Sequence, residues 1–213
     1  MTGFADFLDT AFYGFDSAMF SFWNSLECGF LTVTSDIVSF FGKSGIFMVI
    51  LAASLLLFKR TRRFGLAIAI SIAIGAILTN AILKNVVVRA RPYLNPEYHG
   101  YWQAVGSHIE SDASFPSGHM TSVTAAFLAI FFTAKCKPKF LWTAIPIFLM
   151  GVARNYLIVH YATDIIAGFI VGLIASGIAC PLSSLIWEKI EKRQNKFSEF
   201  ILDASITHLF VKK

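Results

Sequence analysis

"FGLAIAISIAIGAILTNAIL", residues 64–83, runs for 20 residues without a charged side chain. At about 1.5 Å of rise per residue, such a helix matches a hydrocarbon core of about 30 Å. A helix also satisfies its backbone hydrogen bonds within the segment, which lipid demands. The stretch predicts a transmembrane α-helix and makes the fold class an all-α membrane bundle. The rest of the chain agrees: of 213 residues, 56% are hydrophobic, 15% aromatic and only 15% charged, with a mean hydropathy of +0.65. A soluble domain carries about a quarter charged residues.

Working outward, apolar segments at 45–58, 119–134, 140–159 and 164–187 extend this to a polytopic bundle of about five to six spans, the shorter ones completed by tilt or flanking residues. The N-terminal region is rich in Phe but interrupted by Asp6, Asp9, Asp16, Glu27 and Asp36, which suits an interfacial helix, a span, or both. No basic stretch precedes a short apolar run, so a cleaved signal peptide is not expected. Cys28, Cys136 and Cys180 are scattered and odd in number, and predict neither a disulfide framework nor a zinc site. With no repeat or linker, 1–213 reads as one membrane domain: an N-terminal region over 1–42, a helical core over 43–187 and a basic tail over 188–213.

Short loops rich in Lys and Arg are retained in the cytoplasm. Lys59, Arg60, Arg62 and Arg63 follow one expected span, and Lys135, Lys137 and Lys139 follow another; Lys189, Lys192, Arg193, Lys196, Lys212 and Lys213 end the chain. Alternating crossings place all three clusters inside a cell (plasma) membrane. The net charge of +5 is then a topological signal plus attraction to anionic headgroups, and predicts no nucleic-acid partner.

Lys84, Arg89, Arg91 and Arg154 break this rule, because they fall on the opposite side. Snorkelling to headgroups accounts for Arg89 taken singly. If helix continues from Lys84 to Arg91, seven residues at about 100° each return Arg91 to the face of Lys84, with Arg89 roughly opposite. Lys84 and Arg91 can then share one anion, and Pro92 ends or kinks the helix.

"PSGHMTS", residues 116–122, suits a helix start. The amides of Ser117, Gly118 and His119 would lie in or beside the first turn, unsatisfied and at its positive end. Gly118 permits close approach of an anion, the Ser117 hydroxyl adds a donor, and His119 can give or take a proton; an ordinary Ser cap is the plainer reading. In "ARNYLIVHYATD", residues 153–164, His160 and Asp164 stand four apart. On a helical turn the carboxylate can fix the imidazole tautomer and leave the other nitrogen nucleophilic; a buried, satisfied pair is the alternative. His119, His160 and Asp164 also make a two-His, one-carboxylate set. Lys84, Arg91 and Arg154 would repel a divalent cation but neutralise a phosphate, which argues against a metal. "GKSG" from Gly42 lacks the preceding glycine of a P-loop, since position 37 is Ile.

Lys84-x6-Arg91-Pro92, Pro116-Ser117-Gly118-His119 and Arg154-x5-His160-x3-Asp164 together resemble the three signatures of the type 2 phosphatidic acid phosphatase superfamily, which includes vanadium haloperoxidases and glucose-6-phosphatase. The resemblance covers about 45–187. It implies that His160 attacks phosphorus to form a phosphohistidine, that Asp164 supports it, and that His119 protonates the leaving oxygen and then activates water. It assigns Lys84, Arg91, Ser117, Gly118 and Arg154 to the phosphoryl oxygens, with no metal or other cofactor. The third signature usually has Ser before its Arg, and here it is Ala153.

The implied substrate is a lipid phosphate at the non-cytoplasmic face: undecaprenyl diphosphate first, then phosphatidylglycerophosphate or phosphatidic acid. A lipid phosphotransferase, a non-catalytic lipid-binding protein and a haloperoxidase are the competing readings. Tyr93, Tyr98, Tyr101 and Trp102 read as interfacial anchors, with a lid as the lesser reading. Gly168 and Gly172 read as packing contacts inside the bundle rather than a dimer interface, and no oligomer is indicated.

Overall fold

The computed structural model describes residues 3–193; Lys196, Lys212 and Lys213 of the basic tail lie outside them. The N-terminal region forms α1 (Phe4–Ala11), α2 (Tyr13–Ser25) and α3 (Gly29–Gly42). After a 3-10 turn come α4 (Ile46–Leu56) and α5 (Arg62–Ala76), which passes through a π-helical stretch, Ile77–Leu83, into the short α6 (Lys84–Val87). A second 3-10 turn leads to α7 (Pro96–Ala104), and a long connection to α8 (Gly118–Thr133). A third, Lys137–Thr143, precedes α9 (Ala144–Tyr156), and a tight loop leads into α10 (Ala162–Lys192).

Among the described residues, two segments are long and apolar enough to cross a bilayer, Arg62–Leu94 and Ala162–Lys192; α3 and α4, bent by 56°, make a third if they form one span. α8 is apolar but has 16 residues, about 24 Å of helix. The segment at 140–159, expected as one span, is divided among a 3-10 turn, the 13-residue α9 and a loop. α1 and α2 have 8 and 13 residues, shorter than a span requires.

α8 is the centre of the bundle and packs against α5, α9 and α10, with Met48, Ile68, Val123 and Met150 in its apolar surroundings. The glycines of "GFIVG" face it within the chain. A Cβ on Gly172 would lie 2.6 Å from Thr124 Cβ, and one on Gly168 would lie 2.6 Å from the Ser117 carbonyl oxygen. Only a bare backbone permits that approach.

Two expectations are corrected. The helix carrying Lys84 ends at Val87, not at Pro92: Val88 takes a left-handed conformation with φ 44°, and Arg91 is extended. The Asn85 side chain donates to the carbonyls of Asn80 and Ala81, each at 3.0 Å, so it braces the widened turn just before this break. The aromatic residues after Pro92 are not anchors in the headgroup layer. Tyr93, Tyr98 and Trp102 are buried with Phe20, Tyr156 and Tyr161 in a cluster that fastens α7 to α2 and to the loop bearing His160; Tyr101 packs at its edge.

Candidate active site

His160 stands in the loop between α9 and α10, and its main chain is fixed from both sides. Asn155 Nδ2 donates to the His160 carbonyl at 3.0 Å and Arg91 Nη1 to the Val159 carbonyl at 2.7 Å. The imidazole is buried, and its Nε2 lies 3.1 Å from Arg91 Nη1. A guanidinium only donates, so Nε2 accepts and carries the lone pair, which leaves the proton on Nδ1. Burial, reinforced by the Arg91 and Arg154 charges, holds His160 well below the usual histidine range. The ring is therefore neutral.

The direct His160–Asp164 hydrogen bond expected from their spacing is not made. Asp164 Oδ2 is 3.7 Å from Nδ1, and the Ser114 hydroxyl lies beside both, donating to Asp164 Oδ2 at 2.5 Å and standing 3.5 Å from Nδ1. Asp164 also accepts from the Tyr161 amide at 3.0 Å and from Arg89 Nη1 at 2.7 Å. Arg89 does not snorkel; it is 2% exposed and is fully engaged with carboxylates. It does not line the chamber that Lys84 and Arg91 share, and the helix from which its opposite placement was expected is absent.

At the start of α8, Ser117 stands at the N-cap. Its amide donates to the Asp164 carbonyl at 3.1 Å, and its hydroxyl caps the helix by accepting from the Met120 amide at 3.4 Å. Ser117 is fully buried. Gly118 and His119, by contrast, line a cavity of about 310 Å³ together with Lys84, Arg91 and His160. Five of the eight residues singled out in the sequence thus share one chamber. An added Cβ on Gly118 would stand 3.9 Å from Lys84 Nζ, which measures how near the cation comes to the backbone.

Arg154 faces a neighbouring cavity of about 280 Å³ with Ser39, Lys43 and Glu110, and His119 lines both. Arg154 Nη1 donates to Ser39 Oγ at 2.6 Å, Nη2 pairs with Glu110, and the buried Nε has no hydrogen-bond partner among the described residues. Ala153 is buried and lines neither chamber.

Sequence reasoning missed the carboxylates that hold these cations. Asp112 pairs with Lys84 and with Arg91, and Glu110 with Arg154. Partial burial pushes the Asp112 carboxyl up, but Lys84 and Arg91 outweigh it and hold it below the usual carboxylate range. Tyr93 clamps the segment, its hydroxyl donating to the Glu110 carbonyl at 3.0 Å and accepting from the Glu110 amide at 3.2 Å. The visible signal was "HIESDASF", residues 108–115: two acids and Ser114 directly before the helix start. Among the described residues, no three His, Cys, Asp or Glu side chains gather as ligands for a metal ion.

A neutral histidine with its lone pair facing buried cations thus stands at the end of membrane-length helices. Residues 61–188 match the PAP2 superfamily, and the chain belongs to that family; it is an integral membrane phosphatase of lipid phosphate esters. The chain is 30% identical over 175 residues, 80% of each chain, to an undecaprenyl-diphosphatase of Sulfolobus acidocaldarius (strain ATCC 33909 / DSM 639 / JCM 8929 / NBRC 15157 / NCIMB 11770). It is 31% identical over 106 residues, 46% of this chain and 47% of the relative, to phosphatidylglycerophosphatase B of Bacillus subtilis (strain 168). The crystal structure of a transmembrane PAP2 type phosphatidylglycerolphosphate phosphatase from Bacillus subtilis superposes with a TM-score of 0.65 at 26% identity, covering 90% of this chain and 93% of that one.

Proposed function

We propose that the protein is a metal-independent lipid phosphatase that works through a phosphohistidine on His160, with undecaprenyl diphosphate its first substrate and phosphatidylglycerophosphate or phosphatidic acid after it. The observation that carries this reading is the Arg91–His160 contact of 3.1 Å, which aims the Nε2 lone pair into the cationic chamber. Nε2 attacks phosphorus, the bond to the leaving oxygen breaks, and His119 gives that oxygen a proton. Water then gives a proton to His119 as its oxygen bonds to phosphorus and the N–P bond breaks, which releases phosphate and restores both rings. Lys84, Arg91, Ser117, Gly118 and Arg154 hold the phosphoryl oxygens. Charge growing on those oxygens is met by fixed cations, the part a metal would otherwise play.

The ranking of substrates is supported by the Sulfolobus acidocaldarius relative, matched over 80% of both chains. In this reading one membrane domain of five crossings, counting α8 and the α9 region as tilted spans, has its basic loops inside and its site on the non-cytoplasmic side. A lipid there offers its headgroup while its tails stay in hydrocarbon. The test is phosphate release in mixed micelles from the three lipids, with EDTA present and His160→Ala as control. Release that survives EDTA and vanishes in the variant is expected; activity in His160→Ala would overturn the mechanism.

A further inference from the structure

Behind Asp164, on the side away from the chamber, lies a buried network that the reaction as described does not use. Arg89 is its hub. Nη1 donates to Asp164 Oδ1 and to Thr163 Oγ1, both at 2.7 Å; Nη2 donates to Asp16 Oδ2 at 3.1 Å and Nε to Asp9 Oδ1 at 2.7 Å. The guanidinium also stacks 3.8 Å from the ring centroid of Tyr161. Asp16, 2% exposed, accepts from the Thr163 amide at 3.0 Å on Oδ1 and from the Thr163 hydroxyl at 2.8 Å on Oδ2.

We infer that Arg89 and Asp16 are positioning residues for the His160–Asp164 pair, and that α1 and α2 are thereby part of the catalytic machinery. A fully buried carboxylate needs a countercharge and full hydrogen bonding to stay ionised and in place. Arg89 supplies both to the Asp164 oxygen that Ser114 and Tyr161 leave free. Tyr161, at the N-cap of α10, makes no side-chain cap bond, and Asp16 satisfies the Thr163 amide from another helix, at the end of α10 that favours negative charge. Thr163 adjoins Asp164. A shift of α2 is therefore passed to the carboxylate through one residue and one arginine. Neither Arg89 nor Asp16 lines the chamber, so neither touches substrate. Asp9 and Asp16 fall outside the matched family region, 61–188; part of the support for its central pair thus comes from a segment that the three signatures do not reach.

This inference rests on His160 as nucleophile and Asp164 as its support. The experiment compares Arg89→Lys, Asp16→Asn, Asp164→Asn and the double variant Arg89→Lys/Asp164→Asn in full-length protein. It measures kcat and KM for lipid phosphate, inhibition by orthophosphate, and thermal unfolding in the same detergent. Misplacement of a reacting group costs up to about 100-fold. We expect kcat to fall about 10- to 100-fold in folded Arg89→Lys and folded Asp16→Asn while KM and orthophosphate inhibition change less than about threefold. We also expect Arg89→Lys to cost nothing further once Asp164 is Asn, because its effect passes through that carboxylate.

Wild-type kcat in either folded variant, or a double variant that multiplies the two losses, overturns the inference, as does a loss matched by a fall in folded protein. If Arg89→Lys does not fold, Asp16→Asn, isosteric and on another helix, carries the same comparison with Asp164→Asn. An active His160→Ala refutes the proposed mechanism itself. An inactive His160→Ala beside a fully active Arg89→Lys refutes this inference and leaves the proposed mechanism standing.

Discussion

The Asp112 carboxylate joins Lys84 to Arg91: Oδ1 accepts from Arg91 Nη2 at 2.5 Å, and Oδ2 from Lys84 Nζ. It therefore occupies the donors a phosphate would use. Asp112→Asn removes the competing charge, and orthophosphate should inhibit the variant about three- to tenfold more tightly, the range of about 1 kcal/mol. The inhibition constants of the two proteins decide this, and unchanged or weaker inhibition contradicts it. Acid acts in the same direction. The lowered carboxyl pKa in the fold stabilises the protein above the ordinary carboxylate range, and that contribution is lost as the pH falls through the lowered value.

His160 should remain a neutral, Nδ1-protonated imidazole at pH 6, readable in the nitrogen spectrum of histidine-labelled protein. The unfolded chain takes up this proton near about pH 6.5 while the folded chain does not, so stability declines as the pH drops below that point. A folded-state titration of His160 near its ordinary value would contradict the buried geometry.

Two glycine variants should separate binding from packing. Gly168→Ala places a methyl 2.6 Å from the Ser117 carbonyl oxygen and should destabilise the fold by about 1–3 kcal/mol. Gly118→Ala meets nothing closer than 3.8 Å, so it should leave thermal unfolding nearly unchanged and raise KM by narrowing the chamber. Unfolding curves and KM values for both test the contrast, which fails if the two variants behave alike.

Ser114→Ala removes the hydroxyl that bonds Asp164 at 2.5 Å. Leaving a buried carboxylate lobe short of a donor costs about 1–3 kcal/mol, and kcat should drop with the loss of the group that stands between the Asp164 carboxylate and His160 Nδ1. Denaturant unfolding and steady-state rates together check this; unchanged values in both would show that the hydroxyl is dispensable.

What the sequence made legible followed from local rules. Charge-free runs became helices, and short spacings singled out Lys84 with Arg91, Gly118 with His119, and His160 with Asp164, while the resemblance to three family signatures joined these separate stretches into one site. The carboxylates at 110 and 112 could not, because nothing local tells a paired acid from a solvated one. Asp16 was equally hidden: a lone acid in a Phe-rich helix looks interfacial until α10, 147 positions away, supplies its partner. The assumed helix from Lys84 to Arg91 failed at Val88, whose left-handed turn a β-branched residue does not advertise. The count of spans was also less legible, since apolar length does not reveal where a 3-10 turn divides a segment.

The π-helical stretch at Ile77–Leu83 gives the first signature a dependence that its own letters do not carry. Wider winding sets the azimuth at which Lys84 leaves the helix, because a π turn advances each residue through a smaller angle than the about 100° of a regular α-helix. Rewinding the same seven residues as regular α-helix would keep every signature residue and its spacing, yet turn the lysine by on the order of 100°, away from the chamber. In this protein the aim of the first signature is encoded in the pitch of the apolar helix before it.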